Sequence, residues 1–207
     1  MINILKKKDN IYIPDFIGFE FLTNIYNESI KILIFNRKGN NNNNLDFSYI
    51  YTFSTIFNII PFWDFKTNLK GIKIILKEKY NNHKYIKNLE LEKTLFLNKL
   101  KGLIYLYKKI LIISGIGFKF QLNTHNNFYS ELIIFAGFSH IISILIPNNI
   151  KCILETNTKL IIESFSKEDL GIFSAKIKNI KPIEIFKGKG IKYETEHIKL
   201  KNYKKAK

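Results

Sequence analysis

Residues 150–180 read IKCILETNTKLIIESFSKEDLGIFSAKIKNI and contain the pattern of a β-hairpin followed by an amphipathic helix. Two apolar runs, 150–154 and 159–163, flank a turn at Thr156-Asn157, which predicts the hairpin. Ser166 precedes two acidic residues, as is typical of a capping residue before the first turn of a helix. Apolar residues then recur at helical spacing, at Leu170, Phe173, Ile177 and Ile180. The stretch therefore predicts two paired strands and a helix that ends near Asn179.

The preceding part of the chain shows the same order of strands followed by a helix. Between residues 19 and 76, short runs rich in Ile, Phe and Leu predict strands, and the Asn-rich residues 39–44 predict a loop. Apolar residues between 89 and 107 follow helical spacing instead, at Phe96, Leu100, Leu103, Ile104 and Tyr107. From residue 110 onward the pattern is that of strands again. Two α+β halves are therefore predicted to meet near Lys108, without residue-level similarity that would demonstrate a duplication.

The chain is strongly basic, and half of its excess charge lies near its end. Its 207 residues carry 33 Lys and Arg against 17 Asp and Glu, a net charge of +16. Residues 176–207 contain 11 lysines and three glutamates, a net charge of +8. The apolar fraction of 46% is typical of a folded chain. A folded chain with this charge is expected to bind nucleic acid, an anionic membrane face or an acidic protein.

The composition also indicates where the gene lies. Lysine, asparagine and isoleucine make up 95 of the 207 residues, and Arg37 is the single arginine, as expected of coding DNA rich in A and T. Such DNA is typical of an organelle or of a parasite-like genome. The first residues contain neither the apolar core of a secretory signal nor an Arg-rich transit peptide. If the protein works in an organelle, we expect it to be made there.

No combination of residues in the sequence predicts catalysis or metal binding. The four histidines, His83, His125, His140 and His197, are not paired at metal-ligand spacing. Cys152 is the single cysteine, which excludes an internal disulfide and a multi-cysteine zinc site. The Gly-x-Gly sequences at 115–117 and 188–190 lack the third glycine of a dinucleotide-binding motif. We therefore predict a protein that is not an enzyme and that uses no cofactor, metal or small-molecule substrate.

Two long uncharged stretches raise the question of membrane spans. Residues 132–150 and 47–63 contain proline, serine and asparagine among their apolar residues. These polar and helix-breaking residues indicate buried strands and loops rather than membrane-spanning helices.

Residues 184–193, EIFKGKGIKY, are the segment best suited to contact an anion. Glycine lets the backbone pass close to a phosphate, and lysine neutralises the phosphate charge. Phe186 and Tyr193 bracket the glycines and lysines, where they would either anchor the loop or stack on a base. The alternative interpretation is a solvated lysine loop without a partner.

Four segments of the second half resemble the motifs of one protein family. Residues 186–193, FKGKGIKY, resemble Y-K-G-K-G-[IV]-[RK]-Y, and residues 136–140, AGFSH, resemble L-G-F-S-H. Residues 115–119, GIGFK, resemble G-[VI]-G-[YF]-[RK], and residues 166–171, SKEDLG, resemble D-K-x-x-[VI]-G. All four occur in the family's order, so the chain resembles the large-subunit ribosomal protein L-six family. It lacks the P-E-P sequence usual before the first aromatic residue, because isoleucines flank Glu184.

The resemblance implies an α+β fold of two similar small domains, each an antiparallel or mixed β-sheet with a packed helix. Residues 1–107 would form a diverged N-terminal domain that carries the Asn-rich loop 39–44. Residues 108–195 would form an rRNA-binding domain, followed by a basic C-terminal tail at 196–207.

The resemblance also implies a structural constituent of the large ribosomal subunit. Such a protein binds large-subunit rRNA near the sarcin–ricin loop, where translational GTPases act, among neighbouring ribosomal proteins. The implied RNA-binding residues are Lys187, Gly188, Lys189, Gly190, Lys192 and Tyr193, with Ser139 and His140 as contributors. Gly115 and Gly117 are expected to serve a bulge or close packing, and Phe138 is expected to lie in the core.

Composition and resemblance together indicate a mitochondrial ribosome and a gene in mitochondrial DNA, with a plastid-type organelle as the alternative. The alternative functions are those of a basic peripheral membrane protein or of another nucleic-acid-binding protein.

Overall fold

The computed structural model of the chain describes residues 6–7, 10–14, 17–23, 30–36, 48–65, 69–80, 83–125 and 129–201. The chain divides into two compact units, Met1–Ile104 and Tyr105–Lys207, which we call unit 1 and unit 2. The sequence pattern predicts a division three residues later, between residues 107 and 108. The Asn-rich loop 39–44 and the last six residues of the predicted basic tail lie outside the described residues.

Unit 1 consists of two antiparallel sheets followed by a long helix. Its strands are β1 (Lys6–Lys7), β2 (Asn10–Ile13), β3 (Ile17–Thr23), β4 (Ile30–Asn36), β5 (Ser48–Thr52), β6 (Phe57–Asp64) and β7 (Leu69–Leu76). One sheet has the order β1-β2-β7-β6 and the other the order β3-β4-β5. A short 3₁₀ helix at Glu78–Tyr80 leads into the helix α1 (His83–Ile104). The helix packs mainly against β7 and β4.

Unit 2 is built in the same way. Its elements are β8 (Tyr107–Ser114), β9 (Lys119–His125), β10 (Tyr129–Phe135), β11 (Ile142–Ile146), β12 (Ile150–Thr156), β13 (Lys159–Ser164), α2 (Lys167–Ile180) and β14 (Gly190–Tyr193). The sheets have the orders β12-β13-β8-β14 and β11-β10-β9. The helix α2 packs against β8, β13 and β14. The predicted hairpin is therefore β12–β13, and the predicted helix after it is α2.

The two units share one strand order. The set β2-β7-β6 corresponds to β8-β13-β12, the set β3-β4-β5 corresponds to β9-β10-β11, and a helix follows β7 and β13 alike. Every pair of neighbouring strands in these sheets is antiparallel. This arrangement confirms the α+β fold of two similar small domains. The units differ in the strand at one edge of the larger sheet. In unit 1 this strand is β1, which comes before the shared strands, and in unit 2 it is β14, which comes after α2. Because β14 pairs with β8, part of the lysine- and glycine-rich residues 184–193 lies against β8.

Each unit has its own apolar core between the sheets and the helix. In unit 1 the buried Phe53 and Phe96 rings have centroids 5.3 Å apart. In unit 2 strand residues such as Leu111 and Leu160 are buried together with Phe173 of α2. Full burial of one such side chain stabilises the fold by roughly 1.5–3 kcal/mol. The cores therefore depend on the alternate strand residues and on one face of each helix.

The helix α1 buries Phe96, Leu100 and Leu103, as its periodicity predicts, but it ends at Ile104. The prediction that Tyr107 lies on the same helical face is wrong. Tyr107 begins β8, where it pairs with Ser164 of β13. The helical spacing of apolar residues extends past the end of α1 by coincidence. Tyr107, the first residue of β8, happens to fall at the next position of that spacing.

The helix α2 begins with the cap that the sequence predicts. Ser166 has an extended backbone, with φ −95° and ψ 115°, and its Oγ accepts a hydrogen bond from the N–H of Asp169 at 3.3 Å. Glu168 and Asp169 lie in the first turn, where negative charge favours the helix dipole. The cap fixes the residue at which α2 starts. The helix is 14 residues long and ends at Ile180, just before the lysine- and glycine-rich residues 184–193.

We expect Ser166→Ala to lower the free energy of unfolding of unit 2 by about 1 kcal/mol, because one N–H of the first turn loses its acceptor. Urea unfolding followed by circular dichroism measures the effect. Lys167→Ala, at the next position on the same helix, is the matched control and is expected not to destabilise the protein. Equal stability of Ser166→Ala and the unsubstituted chain would contradict the capping role.

Candidate nucleic-acid interface

The lysine-glycine loop, which we define as residues 182–190, is closed by its own backbone. The N–H of Gly188 donates to the carbonyl oxygen of Glu184 at 2.8 Å, and the N–H of Glu184 donates to the carbonyl oxygen of Lys189 at 2.9 Å. Gly188 has φ +68°, a left-handed conformation that glycine adopts without strain. Lys187 is exposed and Lys189 is half-buried. The loop therefore holds two lysines in a defined turn rather than on an extended tail.

Gly190 holds the loop tightly against the end of α2. Its φ is +136°, and a Cβ atom at this position would lie 2.7 Å from the carbonyl oxygen of Pro182. The hydroxyl of Ser114, at the end of β8, donates to the carbonyl oxygen of Gly188 at 2.6 Å. Gly190 therefore allows close packing of the protein backbone, and its approach to phosphate stays a prediction.

The loop lies beside two of the other motifs. The ring of Phe118 packs on the backbone at Gly115 and at Gly137, where added Cβ atoms would lie 2.6 Å and 2.8 Å from ring carbons. The ammonium of Lys181, which ends α2, lies 4.9 Å from the centroid of the Phe138 ring. Residues 115–119, 136–140 and 182–190 therefore come together at one end of unit 2, and we call this surface the loop end. The close packing expected of Gly115 and Gly117 is present at Gly115, whereas an added Cβ at Gly117 would meet nothing within 4 Å.

Ser139 and His140 are exposed on the loop end. The rings of His140 and Phe138 have centroids 5.9 Å apart with an interplanar angle of 31°. Phe138 is 40% exposed, so the prediction that it lies in the core is wrong. The chain turns at Gly137, with φ +73°, directly after the buried Ala136, and this turn carries Phe138 out of the core. The exposed aromatic pair beside Lys181 is a surface on which a base can stack.

Tyr193 lies away from the loop end, inside a cluster of polar residues on unit 2. The ammonium groups of Lys109 and Lys178 each lie 5.0 Å from the centroid of its ring, and its hydroxyl lies 3.3 Å from Oγ of Ser174. Lys178 forms an ion pair with Glu196 at 2.7 Å, and its hydrogen bond lowers the pKa of Glu196. The ring is therefore engaged by the protein's own lysines. Lys192, between Tyr193 and the loop, is half-buried in β14.

Two contributors to this region were missed from the sequence. No role for Lys109 was predicted from the sequence. It shares the inward-facing, alternate positions of β8 with the buried Leu111 and Ile113, and a charged residue at such a position is a signal that could have been used. Ser114 was not recognised either, because nothing local reveals that its hydroxyl binds a carbonyl group 74 residues later in the chain.

Three further features of the described residues concern reactive thiols, metal ligands and membrane helices. Burial raises the pKa of the Cys152 thiol to about 12, so this side chain stays protonated at neutral pH. Among the residues that the structure describes, no three His, Cys, Asp or Glu side chains come together as a metal site would require. None of the described helices is long and apolar enough to cross a membrane.

Comparison with known proteins shows the family to which the chain belongs. A comparison with protein-family models finds no match. The large ribosomal subunit protein uL6 of Mycoplasmopsis pulmonis is 33% identical over 147 residues, which are 70% of this chain and 78% of that protein. The chain belongs to the uL6 family. The uL6 protein of Trichodesmium erythraeum is 33% identical over 134 residues, covering 65% of this chain and 72% of that protein.

The uL6 family also includes the uL6c protein of Porphyra purpurea, which is 35% identical over 117 residues. That alignment covers 56% of this chain and 62% of the length of the Porphyra protein. The relatives of the chain are thus bacterial and organellar members of uL6. Because uL6 proteins are structural ribosomal proteins, the prediction that the chain is not an enzyme is confirmed by its family.

Proposed function

We propose that the chain is a structural constituent of the large subunit of a bacterial-type ribosome and that it binds rRNA through the loop end of unit 2. The observation that supports this most strongly is the convergence of three family motifs on that surface, with Lys187 and Lys189 in a closed loop. Membership of uL6 supplies the ribosomal setting. The partners on this proposal are large-subunit rRNA and neighbouring proteins of the subunit.

The proposed binding relies on charge and shape rather than on chemistry. Lysine ammonium groups neutralise phosphates and release counterions, and these contacts position the protein without reading sequence. The backbone closure at Glu184 keeps Lys187 and Lys189 in place before RNA arrives, so little ordering is required on binding. Phe138 and His140 add aromatic surface for an unstacked base. In this scheme Lys187, Gly188, Lys189, Lys192, Ser139 and His140 contribute at or beside the RNA, and Gly190 and Tyr193 hold the loop and its strand.

The proposed place within the ribosome rests on the motif resemblance. We propose that the loop end contacts rRNA near the sarcin–ricin loop, so that translational GTPases act nearby. The A/T-rich composition supports a mitochondrial ribosome with its gene in mitochondrial DNA. The uL6c relatives keep a plastid ribosome as the alternative.

One observation favours a second candidate, a basic peripheral membrane protein. Ile116 is 91% exposed and Phe186 is 45% exposed, and both lie in segments that form the lysine-rich loop end. Apolar side chains beside lysines are also typical of proteins that bind anionic lipid surfaces.

Binding of the purified chain to two probes distinguishes these functions. We expect nanomolar to micromolar binding to a large-subunit rRNA fragment that contains the sarcin–ricin loop, and weaker binding to vesicles of phosphatidylcholine with phosphatidylserine. A small-subunit rRNA fragment of equal length is the control for nonspecific attraction. Tighter binding to the vesicles than to either RNA would contradict the proposed function.

A further inference from the structure

A second group of lysines lies on unit 2 at the edge of β8, beyond the last residue of β14 that pairs with this strand. At this place the structure contains a cavity of about 430 Å³. The residues that line it are Lys108, Lys109, Ile110, Tyr193, Glu194 and Thr195. Of these lining residues only Tyr193 belongs to a family motif, and none lies in the segments that form the loop end.

The backbone at the cavity has an open sheet edge. The N–H of Glu194 donates to the carbonyl oxygen of Ile110 at 3.1 Å, and no later residue that the structure describes continues this pairing along β8. In an antiparallel strand, alternate residues direct their N–H and C=O groups to the same edge. The N–H of Lys108 therefore points to the uncovered edge, and N–H groups at such an edge attract anions.

Lys109 is a half-buried cation without a carboxylate partner among the described residues. Its ammonium donates to Oγ of Ser174 at 3.2 Å and lies 5.0 Å from the centroid of the Tyr193 ring, and both partners are neutral. Lys178, on the same ring, is instead neutralised by Glu196 at 2.7 Å. Partial burial of an uncompensated charge costs free energy, which an anion in the adjacent cavity would offset.

The acidic side chains near the cavity form no ion pair with Lys108 or Lys109 among the described residues. Glu194 lines the cavity, but its carboxylate is bound by Lys159 at 3.0 Å. Glu163 lies opposite Lys108 in the register of β13 and β8, and no ion pair joins these two described residues. The cavity is therefore lined by two lysines of β8 whose side chains leave opposite faces of the strand at this edge.

We propose that this cavity binds a phosphate group of an RNA strand, held by the ammonium groups of Lys108 and Lys109 and by the N–H of Lys108. The proposal rests on the proposed function, because it extends the RNA contact from the loop end to a second point. Strand β14 links the two places, since it begins at Gly190 in the loop and ends at Tyr193 in the cavity lining. Its three residue steps span about 10 Å, a distance that a few consecutive phosphates of one RNA strand also cover.

The test measures how the affinity for the large-subunit rRNA fragment depends on salt. We expect Lys108→Gln with Lys109→Gln to lower the slope of log K against log salt by about 1, the loss of one phosphate contact. Thr195→Glu, an exposed change in the cavity lining that leaves the Tyr193 cluster intact, is expected to weaken binding about tenfold by adding a negative charge. Lys151→Gln, on β12 at the opposite edge of the sheet, is the matched control and is expected to change neither quantity.

The outcomes separate the cavity from the wider function. If the cavity variants bind RNA like the unsubstituted chain while substitution of Lys187 and Lys189 weakens binding, the cavity proposal is wrong and the proposed function stands. If the unsubstituted chain does not prefer large-subunit rRNA, both are wrong. Adenosine monophosphate is titrated in the absence of RNA to detect a free nucleotide as the source of the phosphate. Saturable micromolar binding that Thr195→Glu abolishes would overturn the assignment to RNA.

Discussion

Replacement of Gly190 by alanine is expected to lower the free energy of unfolding of unit 2 by about 3 kcal/mol. The backbone of Gly190 has φ +136°, a conformation whose cost for other residues is about 1–3 kcal/mol. In addition, the new Cβ would lie 2.7 Å from the carbonyl oxygen of Pro182 and 2.8 Å from that of Lys181. Both contacts are to main chain, so a side-chain rotation cannot relieve them. Urea or thermal unfolding of the purified variant measures the loss.

Gly171→Ala is the matched control for this substitution. Gly171 lies in α2, and an added Cβ would meet no atom within 4 Å apart from its chain neighbours and the nearby backbone of the helix. Alanine favours a helix interior over glycine by about 0.8–1.0 kcal/mol, so this variant is expected to be more stable than the unsubstituted chain. The same chemical change is thus predicted to act with opposite sign at two glycines of one unit. A Gly190→Ala variant of unchanged stability would show that the loop is not held as the structure indicates.

The combined substitution Lys187→Ala and Lys189→Ala is expected to weaken binding to large-subunit rRNA by roughly 10- to 100-fold at 0.1 M salt. Each lysine that neutralises a phosphate contributes about one unit to the slope of log K against log salt. The slope is therefore expected to fall by up to about 2 units. Filter binding or fluorescence anisotropy over a range of salt concentrations measures both quantities.

The charge-preserving variant, Lys187→Arg with Lys189→Arg, is the control for this prediction. Arginine keeps the positive charge, so the salt slope is expected to stay unchanged. Lys187 is exposed and the loop is closed by backbone hydrogen bonds, so the alanine variant is expected to keep its fold. If the alanine and arginine variants bind RNA equally well, the loop lysines do not contact phosphate.

The parts of the fold that the sequence predicted are those that local interactions determine. Strand β13 of the hairpin alternates in burial, and α2 begins after a serine that caps its first turn. These signals act over a few residues, and they appear in the sequence as periodicity and as the order of side chains. The end of α1 at Ile104 was harder to predict from the sequence, because the apolar spacing of α1 continues into β8.

The parts of the candidate interface that the sequence missed depend on contacts between distant segments. Phe138 leaves the core at the turn of Gly137, on which Phe118 packs, and its exposed ring lies 4.9 Å from the ammonium of Lys181. The lysine-glycine motif shows its residue types in the sequence, but the separation of Tyr193 from the loop end follows only from the pairing of β14 with β8. The roles of Lys187 and Lys189 remain predictions until binding is measured.

Sedimentation of a lysate of the cells that make this chain tests the central claim most directly. The lysate is separated on a density gradient at moderate salt, and an antibody against the chain is compared with probes for both ribosomal RNAs and for membranes. We predict that the chain peaks with the large-subunit rRNA and moves to the top of the gradient after ribonuclease treatment. A chain that sediments with membranes free of rRNA, or that stays at the top of the untreated gradient, would contradict its assignment as an rRNA-binding constituent of the large subunit.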